Sequence, residues 1–263
     1  MKLAAIGDEI GTSIIEQVES LKLANINKIE IRKIDDKYLW EFSEQKLIEF
    51  KKFLDKENIE VLTIDSPVGK KPIPYSRKVE LFEIYLKICK IFNCKCMRIF
   101  SNLGDEITED IIKTNLRKFC EQAYDENIHL IMENERATWA ESPEDWLKLI
   151  SEENNINILF DPANAFLEGI DVIDPYEKSK QRITYVHIRD FDQSSNKYAH
   201  IGKGNLGIEK LLKLLKNDNF NGTLSIETHL PMNNSGETKR EVFLKSMEYF
   251  YEIIKKLEIE IEK

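Results

Sequence analysis

Ile156-Asn157-Ile158-Leu159-Phe160-Asp161 is the stretch that decides how this chain folds. It is a short apolar, β-branched run ending on an acid, and Pro162 follows directly. Such a run, bounded by a turn-forming residue and too short for a helix, fits a strand buried on both sides. The same pattern recurs in both directions along the chain, at Leu3 to Ile6, Lys28 to Ile31, Val61 to Ile64, Met97 to Phe100 and Leu130 to Met132. Beyond Asp161 it returns at Tyr185 to Ile188 and Leu224 to Ile226. Eight such runs, each ending on polar residues, are the number that closes a barrel.

Amphipathic stretches separate the runs: Ile14 to Leu23, Gln45 to Lys56, Val79 to Phe92, Ile107 to Asn127, Glu144 to Ile150 and Ile208 to Lys216. Their charges lie opposite an apolar stripe, as on helices that cover a sheet. Helix starts are marked by Thr12 or Ser13, by Ser43 with Glu44, by Thr108 with Glu109, and by Ser142 with Pro143. The segment after the sixth run carries the faintest helical pattern. Arg240 to Leu257 forms a last long helix. Strand and helix alternate without a linker, so the expectation is an α/β fold, a (β/α)8 TIM barrel, in one domain over residues 1–263. An open doubly wound sheet alternates in the same way, but no Gly-x-Gly-x-x-Gly follows the first run. Gly202, Gly204 and Gly207 have that spacing only after the seventh, which disfavours a dinucleotide site.

The chain has 263 residues, 42% hydrophobic and 32% charged, which suits a large core with a charged shell. Lys plus Arg number 38 and Asp plus Glu 47, a formal net charge of -9 that repels phosphate backbones, so nucleic acid is not an expected partner. The first residues lack the order of a secretory signal, and no apolar stretch approaches the roughly 18 residues that span a bilayer. A cytoplasmic protein without a membrane partner is therefore expected. Of four cysteines, Cys89, Cys94 and Cys96 lie in apolar segments and fit buried thiols rather than disulfides or a zinc ribbon.

In a barrel of this kind chemistry sits where strands end, so the residues terminating the runs matter most. Glu133, Asp161, His187 and Glu227 end four consecutive runs, and strand adjacency can bring them to one point although roughly 26 to 40 residues separate neighbours in sequence. Three carboxylates in one barrel mouth oppose each other's ionisation, and a divalent cation relieves this. Three oxygen donors and one imidazole suit Mn²⁺, Mg²⁺ or Co²⁺, with Zn²⁺ as a further option. Taken singly, each residue could equally make a salt bridge or a strand-end hydrogen bond.

The strings Met132-Glu133-Asn134, Phe160-Asp161-Pro162-Ala163-Asn164, Val186-His187-Ile188-Arg189-Asp190 and Ser225-Ile226-Glu227-Thr228-His229 resemble the sugar phosphate isomerase/epimerase family of xylose-isomerase-like barrels. Gly7-Asp8-Glu9-Ile10 and Ser66-Pro67-Val68-Gly69-Lys70 extend the resemblance over nearly the whole chain. It implies that Glu133, Asp161, His187 and Glu227 bind the metal, and that Glu133 and Glu227 form an acid–base pair on opposite sides of a sugar. The implied reaction is metal-assisted proton abstraction next to a carbonyl, through an enediolate, by a sugar or sugar phosphate isomerase or epimerase. One departure is Asn164, where many relatives carry a histidine; an amide can bond a hydroxyl but is a poorer ligand and no base.

Lys70, Asn164, Arg189 and His229 are the candidate substrate contacts, with Lys70 the best placed of Arg32, Lys70, Arg98 and Lys203 to meet an anionic group. His229 follows Glu227 by two residues and faces the same side of an extended strand end. Asp190 could orient a ligand or Arg189, and Trp40 or Trp139 could wall a sugar face. His129 starts a run at the far end and His200 lies in a loop. A dehydratase acting on an inosose-like polyol begins with the same proton removal and is the nearest alternative. A DNA repair endonuclease on the same barrel calls for more histidines than the four present. A non-catalytic sugar-binding barrel is a third class, and the resemblance leaves a homo-oligomer open.

Overall fold

Apolar residues at every second strand position give each strand one face for the helices and leave the other face to the lumen. The computed structural model describes residues 1–106, 108–229 and 236–263. Within them eight parallel strands close into a barrel: β1 Lys2–Ile6, β2 Lys28–Ile31, β3 Glu60–Asp65, β4 Cys96–Ile99, β5 His129–Glu133, β6 Ile156–Phe160, β7 Ile183–Ile188 and β8 Thr223–Ile226. Around the ring the order is β1-β8-β7-β6-β5-β4-β3-β2, with β2 returning to pair β1. The TIM barrel expected from the sequence is the fold observed.

Outward residues such as Leu3, Ile29, Met97, Leu130, Ile158, Val186 and Leu224 join the helices in one continuous hydrophobic core. The lumen is different. It holds a small apolar plug of Ile131, Leu159 and Tyr185 beside Cys96. Above that plug the strands carry Glu30, Thr63, Asp65, Arg98, His187 and Ser225, all buried. Two register shifts set this pattern. Between β2 and β3, Ile29 pairs Val61 but Glu30 pairs Thr63, so Leu62 is the extra residue. Between β6 and β7, Ile158 pairs Ile183 but Leu159 pairs Tyr185, so Thr184 is extra. Each bulge re-aims the strand beyond it, as bulges near functional sites do.

Helix starts follow local chemistry. Ser13 accepts from the Glu16 amide and Glu16 reaches back in a full capping box, which chooses Ser13 over Thr12. Ser43 and Ser142 also cap their helices, Glu44–Lys56 and Pro143–Ile150. Thr108 does not: its side chain makes no cap bond to the helix Glu109–Asp125, and the expected first residue, Ile107, lies outside the described residues. The weak pattern after β6 resolves into two short helices, Pro162–Leu167 and Ile173–Ser179. Two small hairpins went unforeseen, Lys33–Ile34 with Lys37–Tyr38 and Asp190–Asp192 with Lys197–Ala199. No helix among the described residues is long and apolar enough to cross a membrane. The helix Lys239–Lys256 packs last, and its capping box on Thr238 and Glu241 fixes its start.

Candidate metal centre

At the carboxyl ends of β5 to β8, single ligand atoms of Glu133, Asp161, His187 and Glu227 all lie within 4.8 Å of one another. The His187 Nδ1 stands 3.3 Å from Glu227 Oε2, 3.5 Å from Glu133 Oε1 and 3.9 Å from Asp161 Oδ2. Around an ion with bonds of about 2.1 Å, neighbouring donors sit about 3 Å apart and opposite ones about 4.2 Å, so this spacing suits a small divalent cation. His187 and Asp161 are fully buried, and Glu133 and Glu227 are 3% exposed. Neither His187 Nδ1 nor Glu227 Oε2 has a hydrogen-bond partner among the described residues. A buried imidazole nitrogen aimed at three carboxylates needs either a proton or a cation between them.

Local hydrogen bonds place two of the candidate ligands, Asp161 and His187. Asp161 caps the short helix Pro162–Leu167, its Oδ1 accepting from the amides of Ala163 (2.8 Å) and Asn164 (3.1 Å). Asn134 clamps the same residue from β5's end: its amide donates to the Asp161 carbonyl at 2.8 Å and its Oδ1 accepts from the Asp161 amide at 2.6 Å. His187 reaches across the lumen with its other nitrogen, Nε2, to Glu30 Oε1 at 3.1 Å. Gly69, at φ +80°, lets the loop after β3 pass against the Phe100 carbonyl, where a Cβ would come within 2.2 Å.

Arginines pair with all three carboxylates, so the cation that the sequence seemed to require has a partial substitute. Arg98 Nη1 meets Glu133 Oε2 at 2.9 Å and Asp65 Oδ2 at 3.1 Å. Arg189 grips both oxygens of Asp161, at 3.2 and 2.5 Å, and donates to Asn164 Oδ1 at 2.8 Å. Arg32 bonds Glu227 Oε1 at 3.0 Å, Glu9 Oε1 at 2.6 Å and both oxygens of Asp8. Charge balance alone therefore does not demand a metal; the unpartnered nitrogen does more to point to one.

Burial opposes ionisation of Glu133, yet Arg98 and His187 hold its carboxyl at about 2. Glu227 is likewise opposed by burial and drawn well below the carboxylate range by His229, Arg189 and His187. Burial works against charge on His187, but Glu30 and Glu227 push the imidazole well above its ordinary range. His229, also opposed by burial, is raised to about 9 by Glu227 and Glu9.

Of the expected substrate contacts, Asn164, Arg189 and His229 join this network. Asn164 Nδ2 approaches Glu133 Oε1 at 3.5 Å. His229, at a left-handed φ of 50°, bridges Glu227 and Glu9 at 3.1 Å each. Lys70 lies outside it, at the rim, paired with Glu135 at 2.6 Å and over the Phe100 ring. Asp190 makes its bonds among the described residues to backbone amides rather than to Arg189. It is buried and accepts from the amides of Phe191, Gly202, Gly204 and Leu206, which accounts for the glycines there: a Cβ at Gly204 would lie 2.4 Å from Asp190 Oδ1. Lys203 sits over the Tyr249 ring, and Trp40 stacks with Arg77. Trp139 is half-buried against the main core. His200 bonds Ser246, and His129 bonds Asn155 and Asn157 at the opposite end of the barrel, where a cavity of about 680 Å³ opens. The sequence reading did not single out Glu30, Asp65 and Glu9; an acid within or at the end of a short apolar run was the signal for the first two.

Comparison with known proteins agrees with this architecture. The profile of the xylose isomerase-like TIM barrel family matches residues 18–253. An inosose dehydratase of Clostridium botulinum is 23% identical over 137 residues, 45% of this chain, and the match spans about half of that relative, 46% of its length. A probable 3-DHS dehydratase involved in petrobactin synthesis from Bacillus anthracis superposes with a TM-score of 0.77 at 13% identity, covering 95% of this chain and 99% of that one. A D-tagatose 3-epimerase-like protein does so with a TM-score of 0.76 at 17% identity, covering 98% of each. At such identities the superpositions speak for the fold, while the profile match over most of the chain means that this protein belongs to the xylose isomerase-like TIM barrel family.

Proposed function

We propose that this protein is a divalent-metal-dependent isomerase or epimerase that removes a proton next to the carbonyl of a small sugar or sugar phosphate. The observation that carries the reading is the fully buried His187 Nδ1, which faces Glu133, Asp161 and Glu227 and has no hydrogen-bond partner among the described residues. These four residues would hold Mn²⁺, Mg²⁺ or Co²⁺, with Zn²⁺ as a further option. When bound, the ion supplies Lewis acidity that polarises a carbonyl and its neighbouring hydroxyl.

The rest falls to the chain's own side chains. Glu133 and Glu227 are the acid–base pair, one taking the proton and the other returning it. Arg98 on Glu133 and Arg32 on Glu227 keep both carboxylates ionised and in place until substrate displaces part of their hydrogen bonding. Asn164 and Arg189 are set to meet substrate oxygens, and burial of the site limits competing water. Lys70 at the rim would meet a phosphate only after leaving Glu135.

The test is turnover of candidate ketoses in D2O after loading with Mn²⁺. Deuterium should appear at the carbon next to the carbonyl, and Glu133→Gln or Glu227→Gln should lower kcat by about 10²–10⁴. Unchanged turnover in both variants would remove the proposed pair. A dehydratase is the second reading, favoured by the inosose dehydratase match. Proton removal starts both reactions, and loss of water from the product separates them.

A further inference from the structure

Beneath the four candidate ligands lies a second buried layer, of which the proposed reaction uses only Arg98. Glu30, Asp65 and Arg98 enter it from β2, β3 and β4, and all are at most 3% exposed. Glu30 and His187 come from strands with β1 and β8 between them, so their contact spans the lumen. The bulge at Leu62 lies where the β2–β3 register shifts, at the level of Glu30. A neutral imidazole has one donor nitrogen and one acceptor, and its partners select which is which. A carboxylate can only accept, so its place 3.1 Å from Nε2 requires the proton there. In the neutral ring that a cation requires, Nδ1 then keeps the free lone pair, and it is the nitrogen without a hydrogen-bond partner among the described residues.

We propose that Glu30 is a positioning residue of the metal centre: it fixes the His187 ring and its tautomer, committing Nδ1 to the ion. This rests on the reading that Glu133, Asp161, His187 and Glu227 bind a divalent cation. The same layer reaches a second candidate ligand. Asp65 meets Arg98 Nη1 at 3.1 Å, and that nitrogen holds Glu133 at 2.9 Å. One buried frame thus orients two of the four ligands, and such outer partners are worth about 10–100-fold in metal affinity.

Calorimetric titration with Mn²⁺ compares wild type with Glu30→Gln, which keeps the shape but can donate as readily as accept. The variant should bind one ion per chain about 10–100-fold more weakly. Equal affinity in the two proteins overturns this role and leaves the metal reading intact, whereas no binding by wild type overturns both. A readout that a purely structural Glu30 would not produce comes from ¹⁵N-labelled histidine in wild type and Glu30→Gln, both loaded with Zn²⁺, because the His187 Nε2 proton should lie further downfield when a carboxylate accepts it. The His187 signal, identified among four histidines by its loss in His187→Ala, should show the proton on Nε2. A proton on Nδ1 overturns the assignment even if Glu30→Gln fails to fold.

Discussion

Asp161 is held by three separate groups: the helix amides that it caps, the Asn134 side chain that brackets its peptide, and the Arg189 fork on its carboxylate. Fixing one residue so heavily makes sense where its direction matters more than its contribution to packing. Asn134→Ala would leave the Asp161 amide buried without the partner Asn134 gives it, and the Asp161 carbonyl with the 3.4 Å bond from the Ala165 amide. The loss should be on the order of 1–3 kcal/mol, read by urea unfolding, since one orphaned buried group costs about that much. Asn134→Asp keeps the acceptor and loses the donor, and should fall between. Asn134 stood in the sequence beside Glu133, yet its task was not legible there, because the peptide it clamps lies on the next strand. The positions of Glu133, Asp161, His187 and Glu227, the candidate ligands, could be read from strand ends. The contacts of Glu30 with His187 and of Glu9 with His229 could not, since each joins elements far apart in sequence.

Among the elements, helix starts separate what local sequence decides from what it does not. Thr238 and Glu241 form a full capping box, whereas Thr108 makes no side-chain cap. Thr238→Ala should therefore cost about 1 kcal/mol and Thr108→Ala almost nothing, measured by thermal unfolding of the two variants side by side. In the sequence the Thr108 helix start carried the expected cap signal, because the residue type is visible and the rotamer is not. Strand identity was legible to within about two residues at each end, since alternation of apolar residues against the helices is strict. The bulges at Leu62 and Thr184 were not, because a bulge is a relation between two strands. They matter functionally: beyond them Asp65 and His187 face the lumen.

Taken whole, the molecule has an acidic surface and a charge-dense lumen, and its stability should depend on pH accordingly. His129 is held below its ordinary value, burial being the main cause. The unfolded chain takes up that proton first, near the unperturbed value of about 6.5. The stability contributed by the neutral ring is thus complete above that pH and is lost as pH falls below it. His129→Gln should shrink the drop in melting temperature between pH 7.5 and 5.5, and an unchanged drop would dismiss His129 as its source. Glu30 and Glu133, held at about 2 against 4.5 when unfolded, extend the acid loss from near pH 4.5 downward.

The central claim concerns one ion among four side chains, and Mn²⁺ uptake followed by electron paramagnetic resonance tests it most directly. Wild-type protein should silence the free-ion signal up to one equivalent per chain, and His187→Ala should leave that signal in solution. Manganese that stays free with the wild type, or is taken up equally by both proteins, would contradict the account.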